Sequence, residues 1–133
     1  MAEGTNDNEA LVTEARDTFE RSDWRSAYDL LMRADSIAPL GADDLDRATE
    51  AAMWIGEHEQ CIALGQRAFR AWESADDARK AAAAAIWLCR DHVSRQRAAV
   101  AGGWHRQAAR LLDGVGDCRE VGLLAGLEGD IAM

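Results

Sequence analysis

The chain has 133 residues, of which 48% are hydrophobic and 29% charged, a balance typical of one globular domain. Its formal net charge of −9 disfavours nucleic acid and anionic membranes, because both are bound through Lys and Arg. No segment reaches the roughly 20 apolar residues of a membrane span, and the acidic, polar start is unlike a signal peptide. We therefore expect a cytoplasmic protein without membrane contact.

The three cysteines, Cys61, Cys89 and Cys118, are odd in number and indicate reduced thiols rather than a disulfide framework. His58 with Cys61, and Cys89 with His92, are spaced to share a helix face and could supply zinc ligands. Cys61 falls at a packing position of its helix, however, and His58 at a solvated helix start. We predict no metal and no cofactor.

Hydrophobic spacing predicts a flexible tail over residues 1–8 and helices throughout residues 9–133. The first helix begins at Glu9, and its apolar positions are Leu11, Val12, Ala15 and Phe19. The second follows Ser22 or Asp23 as N-cap, and its predicted buried residues are Trp24, Ala27, Leu30, Leu31 and Ala34. Pro39 and Gly41 then interrupt the helical pattern before a third helix begins.

The remaining pattern alternates helix and short turn. The third helix runs from about Asp44 to Ile55, with Gly56 as a natural C-terminal cap. A fourth runs from about His58 to Trp72, and a long fifth begins near Asp77. A sixth covers "AAVAGGWHRQAARLLDG", and a seventh follows in "CREVGLLAGLEGDIAM".

Short phrases recur along the chain. "AAMWIG" at 51–56 returns as "AAIWLC" at 84–89, 33 positions later, and residues 22–34 align with 56–68 at a shift of 34. "AYDLL" at 27–31 also resembles "AARLL" at 108–112, so the third unit is longer. A recurring pair of helices predicts an all-α stack of about three and a half antiparallel helical hairpins.

The second helix carries the residues of a known repeat. Ala27, Leu31, Ala34 and Pro39 follow the spacing A-x3-F-x2-A-x4-P with Leu for Phe, and Ser22-x-Trp24 stands where Gly-x-Tyr is usual. With a period near 34 residues, the chain resembles a divergent tetratricopeptide-repeat array over about residues 9–113. That resemblance implies a right-handed solenoid.

Three longer segments resemble a narrower group of proteins. "SDWRSAYDLL", "LDRATEAAMWIGEHEQCIALGQRAF" and "GGWHRQAARLLDG" are similar to the helical repeats of large bacterial LuxR-type transcriptional regulators and of related cyclase-associated proteins. In those families such arrays bind proteins or inducers beside a DNA-binding or catalytic domain. The resemblance implies a non-enzymatic protein-interaction module, regulatory or scaffolding. The alternatives are a small-molecule (inducer) sensing segment and a homo-oligomerisation scaffold.

If the register of that family holds, Trp54 and Trp87 face a concave groove that accepts a protein or peptide. Their neighbours in this predicted groove are Met53, Ile86, Arg16, Glu20, Glu50 and Arg79. Exposed aromatic rings carry much of the energy at protein interfaces. In the alternative interpretation, both tryptophans pack between helices in the core.

The seventh helix carries an apolar stripe of Leu123, Leu124, Leu127 and Ile131. Each hairpin of a stacked array needs a neighbour to cover its apolar face. The stripe therefore caps the array, continues into a longer solenoid, or pairs with a second copy in a homodimer.

No constellation of catalytic residues is apparent. The carboxylate pairs Asp43/Asp44 and Asp76/Asp77 fall at helix starts, where a solvated acid favours the helix dipole. A catalytic pair needs one acid held in an apolar pocket. We predict that the chain is not an enzyme, and that its partner is a protein, a peptide or another copy of itself.

Overall fold

A computed structural model describes the backbone of residues 2–113, 115 and 119–132, and the side chains of residues 7–113, 115 and 120–126. This part of the chain is all-α and contains no strand. Its seven helices are α1 (Ala2–Glu20), α2 (Trp24–Ile37), α3 (Ala42–Trp54), α4 (His58–Ser74), α5 (Ala78–Ser94), α6 (Ala98–Leu112) and α7 (Arg119–Ala132). The predicted fold class is confirmed, whereas the right-handed sense of the array stays a prediction.

The chain divides into two compact units, Met1–Leu64 and Gly65–Met133, so the prediction of one domain over 9–133 remains untested. In unit 1, α1 packs on α2, α2 on α3, and α1 also contacts α3. In unit 2, α5 packs on α6, α6 on α7, and α5 also contacts α7. In both units a helix thus contacts the next helix and the one after it, as in stacked helical hairpins.

Four of the turns share one backbone geometry. A left-handed residue ends one helix, and the N–H of the following residue donates to a carbonyl five positions back, which is the Schellman arrangement. The left-handed residues are Ser22 (φ 60°), Gly56 (φ 81°), Asp76 (φ 57°) and Gln96 (φ 59°). The motif reverses the chain within the three residues between the helices and satisfies carbonyls at the helix end.

Three of these turns recur at the same place in successive helical hairpins. Ser22, Gly56 and Gln96 join α1 to α2, α3 to α4, and α5 to α6, at intervals of 34 and 40 residues. The third of these turns therefore comes six residues later than a constant period of 34 would place it. Two turns are followed by an aspartate N-cap: the Asp23 carboxylate accepts the Ser26 N–H and that of Asp77 accepts the Lys80 N–H.

The repeat positions predicted for packing are buried. Ala27, Leu31 and Ala34 of α2 are fully buried in unit 1, and Ala108 and Leu112 of α6 are buried in unit 2. Small residues on one face let helix backbones approach closely, while the leucines fill the remaining volume. Trp24 is the exception, since it is only half-buried.

The backbone of α1 is helical from Ala2, earlier than Glu9, where the hydrophobic pattern begins it. The Asn8 side-chain N–H2 donates to the Ala34 carbonyl at 2.7 Å and to the Ala38 carbonyl at 3.5 Å. The Ala34 carbonyl, in the last turn of α2, also accepts the Ala38 N–H at 3.1 Å, so Asn8 is its second donor. Asn8 therefore extends the contact between α1 and α2 beyond the hydrophobic stripe.

Replacing Gln96 with glycine should stabilise the fold by about 0.5–1 kcal/mol, because a left-handed side chain is strained and glycine is not. The measurement is the urea midpoint at unchanged m-value. The converse substitution is Gly56→Ala. A Cβ at this position would meet no atom within 4 Å, so the only cost is the strain of an L-residue at positive φ. This variant should lose about 1 kcal/mol. Equal midpoints for wild type and Gln96→Gly would contradict the assignment.

Candidate functional site

Three aromatic side chains of unit 1 form a continuous surface that we call the aromatic ledge: Phe19, Trp24 and Trp54. The Trp24 and Trp54 rings are stacked, with centroids 5.8 Å apart and planes inclined by 16°. Phe19 meets Trp24 edge-on at 5.2 Å and 80°. Trp54 is 58% exposed, the most exposed of the large apolar residues described. An open indole of this kind is a typical anchor for a binding partner.

The ledge is built from three helix ends. Phe19 lies in the last turn of α1, Trp24 is the first residue of α2, and Trp54 is the last residue of α3. The left-handed turn at Ser22 reverses the chain between Phe19 and Trp24, and the packing of α2 on α3 brings Trp54 to the stack. Because Trp54 ends its helix, no following turn of α3 covers its ring.

Three glutamates lie within four positions of a ledge residue along the chain. Glu50 lies one turn before Trp54 on α3, and Glu20 follows Phe19. Glu57 lies close to Tyr28, which is one turn after Trp24. Burial raises the pKa of Tyr28, the charges of Glu57 and Asp29 raise it further, and the charge of Arg25 lowers it.

None of the three glutamates has a side-chain hydrogen bond or salt bridge with a described residue. The nearby cations are already engaged. Arg21, one residue after α1, pairs with Asp17 of α1 at 3.0 Å, and Arg25 pairs with Asp29 within α2 at 4.0 Å. The ledge therefore has a local excess of negative charge.

The residues predicted to line a groove divide between the two units. In unit 1, Trp54 and Glu20 are exposed, and Met53 and Glu50 are half-buried. In unit 2, Trp87 is half-buried, whereas Ile86 is 3% exposed and belongs to the core. Since Trp54 and Trp87 lie in different units, a groove formed by both stays a prediction.

The two tryptophans also occupy different levels of their helices. Trp54 is the last of the 13 residues of α3, whereas Trp87 lies inside the 17-residue α5, which runs on to Ser94. α5 therefore continues for two further turns beyond Trp87, whereas α3 ends at Trp54. Of Trp54 and Trp87, only Trp54 therefore lies at a helix end beside a left-handed turn.

Arg16, another predicted groove residue, is held by Asp44. Its Nε lies 3.1 Å and its Nη2 3.0 Å from the two carboxylate oxygens, and Arg47 donates to the same carboxylate at 2.9 Å. The hydrogen bond to Asp44 raises the pKa of Arg16 above its ordinary value. Asp44 is 6% exposed, so the expectation of a solvated acid is wrong at this position. The pair instead ties α1 to α3.

Arg79, the remaining groove candidate, donates from Nε to the Glu120 carboxylate at 3.0 Å and so links α5 to α7. On α7, Leu124 is buried in unit 2 and Leu123 is 38% exposed. A ring nitrogen of His105 lies 3.2 Å from the Leu124 carbonyl. The side chains of Leu127 and Ile131 are outside the described residues, so the predicted self-association face stays untested.

A pocket of about 360 Å³ lies in unit 1 on the side of Arg16 and Asp44. Its other lining residues are Asn8, Glu9, Val12, Thr13, Pro39, Leu40 and Gly41. Its volume is at the lower end of the range for small-molecule sites, but its lining is mixed rather than apolar.

Cys61 and Cys89 are buried, at 1% and 0% exposure, and the Cys61 thiol lies 3.4 Å from the Thr49 carbonyl. Cys118 lies outside the described residues. Within the described part of the chain, no group of three or more His, Cys, Asp or Glu side chains could hold a metal ion. Among the same residues, no helix combines the length and the apolar character of a membrane span.

No model of a known protein family matches the chain, and no curated protein is similar to it. The seven-helix arrangement is compatible with a helical-repeat fold.

Asp44→Asn should destabilise unit 1 by about 1–3 kcal/mol, because two arginines lose a buried carboxylate partner. The matched control is Asp43→Asn, a change of the same chemistry at the exposed neighbouring position, which should stay within about 0.5 kcal/mol of wild type. Urea unfolding at pH 7 measures both. Equal losses in the two variants would show that the Arg16–Asp44 contact contributes nothing specific.

His92 should make stability depend on pH. It is 4% exposed, and neither ring nitrogen has a hydrogen-bond partner among the described residues. Burial lowers its pKa below the usual 6.5, an effect to which Arg97 and Arg95 add and which Asp91 opposes. The unfolded chain therefore binds the proton more readily, and stability that is present above pH 6.5 is lost as the pH falls below it.

The check is the urea midpoint between pH 7.5 and 5.5 for wild type, His92→Leu and the exposed-site control His58→Gln. We expect the decline in wild type and in His58→Gln, and a flatter profile in His92→Leu. A decline of the same size in His92→Leu would assign the effect to other groups.

Proposed function

We propose that this chain is a non-enzymatic protein-interaction module built from tetratricopeptide-like repeats, with a regulatory or scaffolding role like that of the repeats in LuxR-type regulators. The observation that supports this most is the aromatic ledge. It presents one face of Trp54 to solvent on a support of packed rings. A rigid aromatic surface loses little conformational entropy on binding, so more of the contact energy is available for affinity.

The helical hairpins supply the rigid framework for such a site. Trp24 and Trp54 are fixed at helix ends whose turns have defined hydrogen bonds, rather than on a long loop. A protein segment that docks here would cover the open indole and exclude water from the stack, which is the usual arrangement at an interface hot spot. The family resemblance agrees with this role, because arrays of that kind bind other proteins.

The runner-up is a small-molecule sensing segment, and the pocket beside Arg16 favours it. The pocket and the ledge share no lining residue. The two roles therefore predict different effects of a Trp54 substitution on binding. A ligand held in the pocket should bind equally well to a Trp54 variant.

The test is selection of binders from a random 16-residue peptide display library on immobilised protein. Related peptides should be enriched on wild type, and Trp54→Ala should weaken their binding about 30-fold, as expected for a hot spot. Because Trp54 is largely exposed, the same change should cost only about 0.5–1.5 kcal/mol of stability through the lost ring contact. The control is Val100→Ala, which truncates another exposed apolar side chain and should leave binding unchanged.

The proposal fails if no peptide is enriched over the bare support, or if Trp54→Ala retains the selected peptides with wild-type affinity. If no peptide is selected but a member of a metabolite library raises the melting temperature, the small-molecule sensing role replaces the proposed interaction module.

A further inference from the structure

The open face of Trp54 suits a particular kind of side chain. Trp24 stacks against the Trp54 ring in an offset, near-parallel arrangement with centroids 5.8 Å apart, and 58% of Trp54 stays exposed to solvent. An indole face is electron-rich and attracts cations as well as apolar groups. The electrostatics around the ring decide between these two classes.

Those electrostatics favour a cation. Glu50, Glu57 and Glu20 lie within four positions of a ledge residue along the chain and have no charged partner among the described residues, and Arg21 and Arg25 are paired with Asp17 and Asp29. An acidic segment would be repelled, and a purely apolar one would bury these carboxylates uncompensated. A positively charged side chain satisfies both the ring and the glutamates. The net charge of −9 adds long-range attraction for such a segment.

The chain already contains one such contact. In unit 2 the Lys80 ammonium lies 4.5 Å from the centroid of the Trp72 ring. No comparable intramolecular cation lies over Trp54 within the described part of the chain. The Trp54 ring is therefore available for a cation from another molecule.

The shape of the site distinguishes arginine from lysine. A guanidinium is planar and can lie flat on the flat indole while its N–H groups reach a neighbouring carboxylate in a fork. An ammonium is a compact, strongly hydrated charge that uses only part of this surface. We propose that the aromatic ledge binds an arginine side chain of a partner protein, stacked on Trp54 and paired with Glu50 or Glu57. This inference rests on the proposed function and specifies its partner.

The experiment follows the five tryptophan indole N–H signals of ¹⁵N-labelled protein by NMR during titration with a capped GRGRG peptide. The Trp54→Phe variant assigns the Trp54 signal. The matched probe contains citrulline in place of both arginines, which keeps the planar shape and removes the charge. A third probe contains lysine, which keeps the charge and removes the planar fork.

We expect a saturable shift of the Trp54 signal with the arginine peptide, and binding about fivefold weaker or worse with the citrulline and lysine peptides. Glu50→Gln combined with Glu57→Gln should weaken arginine binding by a similar factor and leave folding intact. The control is Asp43→Asn, an exposed acid at the other end of α3, about 16 Å along the helix from Trp54. It should have no effect.

Several results would overturn the inference: no saturable shift of Trp54, equal affinity for the citrulline or lysine peptide, or the same loss in Asp43→Asn as in the double glutamate variant. Failure here is separable from failure of the proposed function. If the display library yields peptides that require Trp54 yet tolerate citrulline in place of any arginine, the interaction module stands and the arginine partner does not. If neither experiment detects Trp54-dependent binding, both proposals fall.

Discussion

A chain that leaves one helix and enters the next within three residues needs a sharp reversal, and one residue with a left-handed backbone supplies it. This constraint is met four times, at Ser22, Gly56, Asp76 and Gln96, and each time the next N–H closes back onto the preceding helix. The turn determines where one helix ends and where the next begins. The packing of neighbouring helices and the placement of the residues beside each turn follow from it.

The aromatic ledge is a consequence of that geometry. Residues on either side of a tight reversal are brought together, which is why Phe19 and Trp24 touch although they belong to different helices. Trp54 reaches the same place from the end of α3. In the same unit, Arg16 and Asp44 fix α1 against α3 through a buried carboxylate. One charge pair is thus used for structure, while the glutamates near the ledge have no charged partner among the residues that the structure describes.

The all-α class, the hairpin repeat and the buried face of α2 could be predicted from the sequence, because helical periodicity and recurring small residues are local signals. Ala27, Leu31 and Ala34 illustrate this, since all three are fully buried. Ser22, placed where the repeat family has glycine, indeed adopts a positive φ.

The contacts between distant residues could not be predicted in the same way. Trp24 has the spacing of a core residue, but its half-exposed stack on Trp54 depends on how α2 approaches α3. Asp44 reads as one of two equivalent helix-start acids, and only the position of Arg16 across the unit distinguishes it from Asp43. Likewise, the Trp54 and Trp87 phrases look equivalent until the different lengths of α3 and α5 are known.

The near-parallel indoles of Trp24 and Trp54 also have an optical consequence. Two identical chromophores whose centroids are 5.8 Å apart couple electronically, so the pair should add a signal to the far-ultraviolet circular dichroism that neither ring gives alone. That signal depends steeply on the separation and the angle of the rings. This signal therefore reports on the contact between α2 and α3 without any attached label.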